Sequence, residues 1–294
     1  MKRVSDLLNS EKPTLSFEVF PPKTQDKFED VKRSAFRIGS LGPDFMSVTY
    51  GAGGGTSAYT VEMVDQLQRT LGIPVLSHLT CVSSTRQQVE NMLEQLKIRG
   101  IDNILALRGD IPEGGTVSDY RHASDLISQI RASGDFCIGA ACYPEGHPES
   151  RDKNEDLRYL KEKVDCGVDF LTTQMFFQTE LFYRFLYRIR EIGIQVPVCA
   201  GLMPVTSGRQ MKRIVSMSGA FIPQSFTAMV DRFGGDDRAM SQAGILYTSE
   251  QIVDLLANGV KHIHVYTMNK PEVARAIMQN ISEIWKYEVS RSIS

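Results

Sequence analysis

Eight times along the chain a short run of β-branched, aromatic or small apolar residues stops on a polar side chain and gives way to a helical pattern. Apolar runs that recur roughly 30 residues apart, with helices between them, predict parallel strands joined by crossover helices. The fold class expected is therefore α/β, a (β/α)8 TIM barrel. Strands are expected at Thr14–Phe20, Asp44–Tyr50, Pro74–Thr80, Asn103–Leu107, Phe136–Cys142, Phe170–Gln174, Val196–Leu202 and His262–Tyr266. Helices are expected over Thr24–Ile38, Ala58–Thr70, Thr85–Arg99, from near Asp119, over Asn154–Cys166 and Thr179–Ile192, and from Glu272 to about Glu288. Thr24 reads as a cap and Pro271 as the first turn of the last helix. Between strands seven and eight the helical pattern runs from Ser207 to Asn258, too long for one crossover. Breakers at Gly219, Pro223 and Gly234-Gly235 divide it into two or three helices, with an insertion around Ile222–Phe233. No linker or low-complexity stretch interrupts residues 1–294, so a single domain is expected.

Within this pattern Glu18 stands out. The strand that carries it is otherwise mostly apolar, and Pro21-Pro22 ends ladder hydrogen bonding just past it. In a parallel barrel the loops at the C-terminal ends of the strands converge on one mouth, which is where catalytic groups collect. The other strand ends supply Thr49, His78, Arg108 with Asp110, Tyr143, Gln174, a turn at Gly201, and Tyr266 with Asn269 and Lys270. A polar side chain placed so regularly after an apolar run points to a shared site rather than to solvated loops.

The chemistry of that set narrows the options. With 33 basic and 35 acidic residues the net charge is -2, so no global field favours nucleic acid or an anionic membrane. Neither a signal peptide nor a membrane-spanning run is present, and a soluble cytoplasmic protein is expected. The five cysteines form no Cys-x-x-Cys pair and read as core residues. His262 and His264 would share one face of a strand, but without a third ligand at a fixed offset packing is favoured over metal binding. Gly51 to Gly55 lacks the lysine of a phosphate-binding P-loop and reads as a place where backbone approaches a flat ligand. No Gly-x-Ser-x-Gly nucleophile elbow occurs, and Lys163 falls within a helix rather than on a strand, which favours a phosphate or ribose contact over a Schiff base.

Five ordered motifs carry a resemblance: Ser16-Phe17-Glu18-Val19-Phe20-Pro21-Pro22, Ser47-Val48-Thr49-Tyr50-Gly51-Ala52-Gly53-Gly54, Leu107-Arg108-Gly109-Asp110, Tyr143-Pro144-Glu145-Gly146-His147-Pro148-Glu149 and Thr173-Gln174-Met175-Phe176-Phe177. Together, and over nearly the whole chain, they resemble the catalytic domain of the methylenetetrahydrofolate reductases in its short bacterial form. The resemblance implies a barrel that holds FAD at its mouth, takes electrons from NADH or NADPH, and reduces 5,10-methylenetetrahydrofolate to 5-methyltetrahydrofolate in ping-pong fashion, in the one-carbon metabolism that feeds methionine synthesis. Carried over by motif, Thr49, Tyr50, Ala52, His78, Arg108, Gly109, Asp110, Ala123, Tyr143, His147, Asp156 and Lys163 would contact FAD. Glu18, Asp110, Gln174, Gln210 and Lys270 would face the folate, with Glu18 as general acid and Asp110 as its catalytic companion.

Departures from the family pattern are Lys270 where many relatives have arginine, Ile214 where some have an aromatic thought to stack on the nicotinamide, and the positions around Tyr159 and Glu162. Apolar Phe17, Val19 and Phe20 around Glu18 lead to the expectation that its pKa is raised toward neutrality. A homo-oligomer is expected, with or without a partner redox subunit. Other readings of the same residues are a pterin-binding methyltransferase barrel without flavin, and a non-catalytic scaffold.

Overall fold

Apolar runs that recur with helices between them do pair in parallel here. The computed structural model describes residues 2–22, 24–50, 57–111, 118–211, 214 and 219–292. Strands β1 (Thr14–Val19), β2 (Phe45–Val48), β3 (Val75–Thr80), β4 (Asn103–Leu107), β5 (Cys137–Cys142), β6 (Phe170–Thr173), β7 (Val198–Leu202) and β8 (His262–Tyr266) form a closed barrel in chain order. Every neighbouring pair is parallel, including β8 with β1. A short helix, α1 (Val4–Leu8), precedes β1, and α2 (Phe28–Gly39), α3 (Ser57–Leu71), α4 (Arg86–Ile98), α5 (Ala123–Ser133), α6 (Lys153–Asp165) and α7 (Thr179–Glu191) follow the first six strands in turn. Between β7 and β8 lie α8 (Gln224–Phe233) and α9 (Asp237–Ala257), and α10 (Pro271–Asn280) and α11 (Ser282–Arg291) complete the chain. The fold is the (β/α)8 barrel expected, extra helices included.

Local chemistry explains where elements start and where they depart from expectation. Thr85 caps α4 reciprocally with Gln88: its hydroxyl accepts the Gln88 N–H at 3.2 Å while the Gln88 side chain accepts the Thr85 N–H at 2.8 Å. Asp119 does not begin a helix. Its carboxylate accepts the Arg86 N–H at 2.8 Å, serving the start of α4, and α5 begins instead where Asp125 accepts the N–H groups of Arg121 and His122 at 2.9 and 3.0 Å. The helix expected from Thr24 opens as a 3-10 turn, Gln25–Lys27, and becomes α-helical at Phe28. The last helix is two helices, because the chain breaks at Ile281, which enters the core, next to Asn280, whose side chain bonds the Ser249 hydroxyl at 3.1 Å. Gly201 lies within β7 rather than in a turn.

Strand alternation sorts the core into two layers. Outward residues such as Leu15, Phe17, Met46, Val48, Ile104, Ile138, Leu171 and Val265 pack against the helices. Inward, at the N-terminal end, Phe45, Leu76, Leu105, Cys137, Phe170 and Cys199 meet Val4 and Leu8 of α1. That helix plugs the barrel floor, held by the Val4 N–H donating to Asn103 Oδ1 at 2.8 Å. Five residues are too few to show helical periodicity, which is why the plug was not legible beforehand. Truncating a buried leucine leaves a cavity and costs about 2–5 kcal/mol. Leu8→Ala is expected to lose stability in that range in urea melts, and an unchanged midpoint would mean that the plug is not part of the cooperative core.

Candidate active site

The two prolines after Phe20 end β1 beside the loop that follows β8. There the Asn269 side chain accepts the Phe20 N–H at 2.8 Å and donates to the Phe20 carbonyl at 3.0 Å, and the Thr267 hydroxyl donates to the Glu18 carbonyl at 2.7 Å. Glu18 is thereby fixed at the C-terminal end of its strand, facing inward with 7% of its surface exposed. Register sets its neighbours: Ser47 pairs with it on β2 and Tyr266 on β8. Oε2 of Glu18 accepts from the Ser47 hydroxyl at 3.3 Å and lies 3.4 Å from His78 Nε2 and 3.6 Å from His264 Nε2.

The Ser16 hydroxyl lies 3.1 Å from the Ile263 carbonyl and 2.7 Å from His264 Nδ1, and so anchors the ring whose other nitrogen faces Glu18. Burial pushes the Glu18 carboxyl up, as expected, but the contact with His264, the electrostatic influence of the two imidazoles and the Ser47 hydroxyl outweigh it and leave the pKa below the ordinary value. This corrects the expectation of a raised pKa, which took the neighbours in sequence for the neighbours in space. His78 is buried and is driven down to about 4.

Around the mouth the other expected residues take their places. Tyr266 donates to the Thr173 carbonyl at 2.5 Å, and burial first, then the Glu18 carboxylate, raise its phenol well above its usual value. Burial, then Asp110, raise the Tyr143 phenol to about 12. Asp110 itself is exposed. Arg108 grips Glu149 through two bonds of 2.6 Å, and Gly109 has φ 88°, where an added Cβ would fall 2.6 Å from Val82 Cγ1. The Tyr143 and His147 rings meet edge to face at 4.6 Å.

On α6, Lys163 is half-buried, donates to the Ala141 carbonyl at 2.5 Å, and is lowered by desolvation of its ammonium, while burial raises Asp156. Ala123 forms the first turn of α5, and Tyr159 stacks toward His122 with ring centroids 6.4 Å apart. Thr49 and Tyr50 follow β2, whereas Ala52 and the glycines around it lie outside the described residues. Gln174 turns its Oε1 back to the Met175 N–H at 2.9 Å.

On the far side of the mouth Lys270 donates to the Thr206 hydroxyl at 2.6 Å, and Thr206 in turn donates to Gln210 Oε1 from its N–H and hydroxyl at 3.0 and 3.3 Å. The amide nitrogen of Gln210 is buried with no partner. Ile214 is buried among Phe177, Val205, Met211, Phe226 and Met240. The two histidines of β8 differ in role: His262 contacts the Thr14 hydroxyl at 3.1 Å, whereas His264 belongs to the Glu18 cluster. His264, Ser16, Ser47, Thr206 and Glu149 were not singled out from sequence as site residues. The period-two spacing of His262, His264 and Tyr266 was the available signal, since it turns all three inward. Among the described residues no group of three or more His, Cys, Asp or Glu is placed to hold a metal ion, and no helix is long and apolar enough to cross a membrane.

Comparison with known proteins adds a further line. The model of the methylenetetrahydrofolate reductase family matches residues 3–282. The chain is 34% identical to methylenetetrahydrofolate reductase (NADH) 1 of Arabidopsis thaliana, over 99% of the chain and 52% of that protein. It thus spans about half the length of the plant relatives it matches. With 5,10-methylenetetrahydrofolate reductase of Pectobacterium carotovorum subsp. carotovorum it shares 36% identity over 91% of the chain and 89% of that protein. Among solved structures, a Clostridium thermocellum protein described as binding two copies of 5-methyl-5,6,7,8-tetrahydrofolic acid superposes with a TM-score of 0.68 at 17% identity, covering 96% of this chain and 98% of its own, a likeness of fold.

The buried imidazole gives a pH prediction. In the unfolded chain His78 takes up a proton as pH falls below 6.5, whereas in the folded state it does so near 4. Its share of stability is therefore complete above about 6.5 and declines between 6.5 and 4, with a limiting slope of about 1.4 kcal/mol per pH unit. His262, lowered to about 4, acts in the same window, and Glu18, displaced downward, adds a loss below the ordinary carboxylate value of 4.5. His78→Asn is expected to flatten the slope of unfolding free energy between pH 7 and 5 by about half. An unaltered slope would mean that burial does not keep this ring neutral.

Proposed function

The chain belongs to the methylenetetrahydrofolate reductase family, and from that premise we propose that it reduces 5,10-methylenetetrahydrofolate to 5-methyltetrahydrofolate with NAD(P)H as electron donor and FAD as the resident cofactor. The observation that carries the reading is Glu18, a buried carboxyl at the mouth of the barrel with a hydroxyl and two imidazoles converging on one oxygen. The donor set suits a dinucleotide: Arg108 and Lys163 for the phosphates, Gly109 where only a residue without Cβ fits, and the aromatic and imidazole rings of Tyr143, His147 and His78. Thr49, Tyr50, Ala52, Asp110, Ala123 and Asp156 complete the contacts proposed for FAD. When bound, the flavin accepts hydride from the pyridine nucleotide and delivers it to the folate, the two substrates using it in turn.

What the chain's own residues do is bind, orient and move a proton. The methylene bridge of the folate becomes a hydride acceptor once one of its nitrogens is protonated and leaves, giving an iminium cation. Glu18 supplies that proton as general acid. The Ser47 hydroxyl, at 3.3 Å, and His264 Nε2, at 3.6 Å, hold the carboxyl in place for that step. Asp110 stabilises the cationic folate by charge, Gln174 and the unpartnered amide of Gln210 hydrogen-bond the pterin, and Lys270 offers its charge to the folate's carboxylates. A lysine there is a point charge rather than a planar fork, so it pairs with one carboxylate oxygen at a time. In this reading residues 1–294 act as one FAD-binding unit in the cytoplasm, as a homo-oligomer and with room for a partner redox subunit.

Two measurements test the proposal. Purified protein is expected to be yellow and to bleach on anaerobic addition of NADH or NADPH; a colourless chain that binds folate would favour a methyltransferase barrel instead. Glu18→Gln should leave bleaching by NAD(P)H nearly intact and abolish reoxidation by methylenetetrahydrofolate. An equal fall in both half-reactions would remove Glu18 from the role of acid.

A further inference from the structure

Glu145 makes contacts that stability alone does not explain. It stands between Tyr143 and His147 on the loop after β5, and its Oε2 accepts the backbone N–H of Phe221, 76 residues further along, at 2.7 Å. Phe221 belongs to residues 219–223, which lead from the region of Gln210 and Ile214 into α8. The other carboxyl oxygen, Oε1, is buried and has no hydrogen-bond partner among the described residues. Burial raises the pKa of the group, with Lys153 the nearby cation that opposes it.

Gly219 lies near Pro148 of the same loop, since a Cβ built on it would fall 3.9 Å from Pro148 Cγ. Beside this crossing point a cavity of about 340 Å³ is lined by Glu145, Lys153, Gln178, Leu181 and Phe221. A half-buried acid whose one shielded oxygen is left unsatisfied is a poor choice if the site had only to be filled, because an apolar side chain would avoid that desolvation. What an apolar side chain does not provide is an acceptor for the Phe221 N–H.

We propose that Glu145 is a positioning residue that ties the loop carrying Tyr143 and His147 to the segment following Gln210, so that the flavin-facing and folate-facing halves of the mouth are held in register. The proposal rests on the flavin and folate reading given above. The tie acts through one accepted hydrogen bond, which glutamine can reproduce and alanine cannot. The tie reaches Gln210 through packing, because Ala220 and Ile222, on either side of Phe221, lie against the cluster that holds Met211 and Ile214, and the buried amide nitrogen of Gln210, without a partner among the described residues, sits next to Met211.

The test compares wild type with Glu145→Gln, with Glu145→Ala, and with Phe221→Pro, which removes the donor from the other side. Hydrogen exchange of the Phe221 amide, followed by mass spectrometry in the full chain, is expected to be slow in wild type and Glu145→Gln and about ten-fold faster in Glu145→Ala. In turnover, Glu145→Ala and Phe221→Pro are each expected to raise KM for methylenetetrahydrofolate about five-fold with kcat within about two-fold, and Glu145→Gln to behave as wild type. The double variant Glu145→Ala/Phe221→Pro should be no worse than either single one. Wild-type exchange in Glu145→Ala would overturn the proposal, as would a loss that falls on flavin content and kcat and is equal in Glu145→Gln. A wild-type protein that does not turn over folate would refute the functional reading while the exchange rates still decide for or against the tie.

Discussion

An ionisable carboxyl shut away from water has to be matched where it sits, and the upper half of this barrel is arranged around that requirement at Glu18. Leaving such a group without partners would cost several kcal/mol. Here the Ser47 hydroxyl donates to one of its oxygens, His264 Nε2 lies 3.6 Å from it, His78 Nε2 lies 3.4 Å away without completing a hydrogen bond, and the Thr267 hydroxyl satisfies the Glu18 main-chain carbonyl. None of these partners is close to it in the chain. All depend on register: β2 sets Ser47 opposite Glu18, and β8 sets Tyr266 opposite Glu18 and His264 opposite Ser16. A slip of one residue in β8 would turn both His264 and Tyr266 outward.

The interior is correspondingly lopsided. Strands β1, β2, β3 and β8 turn serine, threonine, histidine, glutamate and tyrosine inward. On the opposite wall β5 and β7 turn small residues inward, Gly139, Ala141, Cys199 and Gly201, which leaves room for Leu105 of β4 and Phe170 of β6. Their smallness is required: a Cβ on Gly139 would fall 2.4 Å from the Phe170 ring, and one on Gly201 would fall 2.5 Å from the Tyr266 hydroxyl. Gly201 thus makes room for the bond from Tyr266 to the Thr173 carbonyl, which spans from β8 to β6 across β7.

Much of the barrel could be read from residue order because each strand is a short apolar run closed by a polar residue, a local property. Glu18 was legible for the same reason, since Pro21-Pro22 marks where its strand must end. Features that depend on residues distant in sequence were not. His264 read as a packing residue because nothing near it suggested a partner, and that partner lies on the first strand. The direction of the Glu18 pKa was misjudged because Phe17 and Val19, adjacent in sequence, point away toward the helices. Asp119 looked like a helix start but serves the preceding helix, and the pairing of Arg108 with Glu149 lay inside two motifs without being predictable from either.

The floor formed by Val4 and Leu8 has a bearing on traffic. A vessel stoppered at its base by apolar side chains admits and releases everything by one rim. Under the function proposed above, two large reactants that need the same spot within it would take turns, the first visitor's departure being a condition for the second one's arrival.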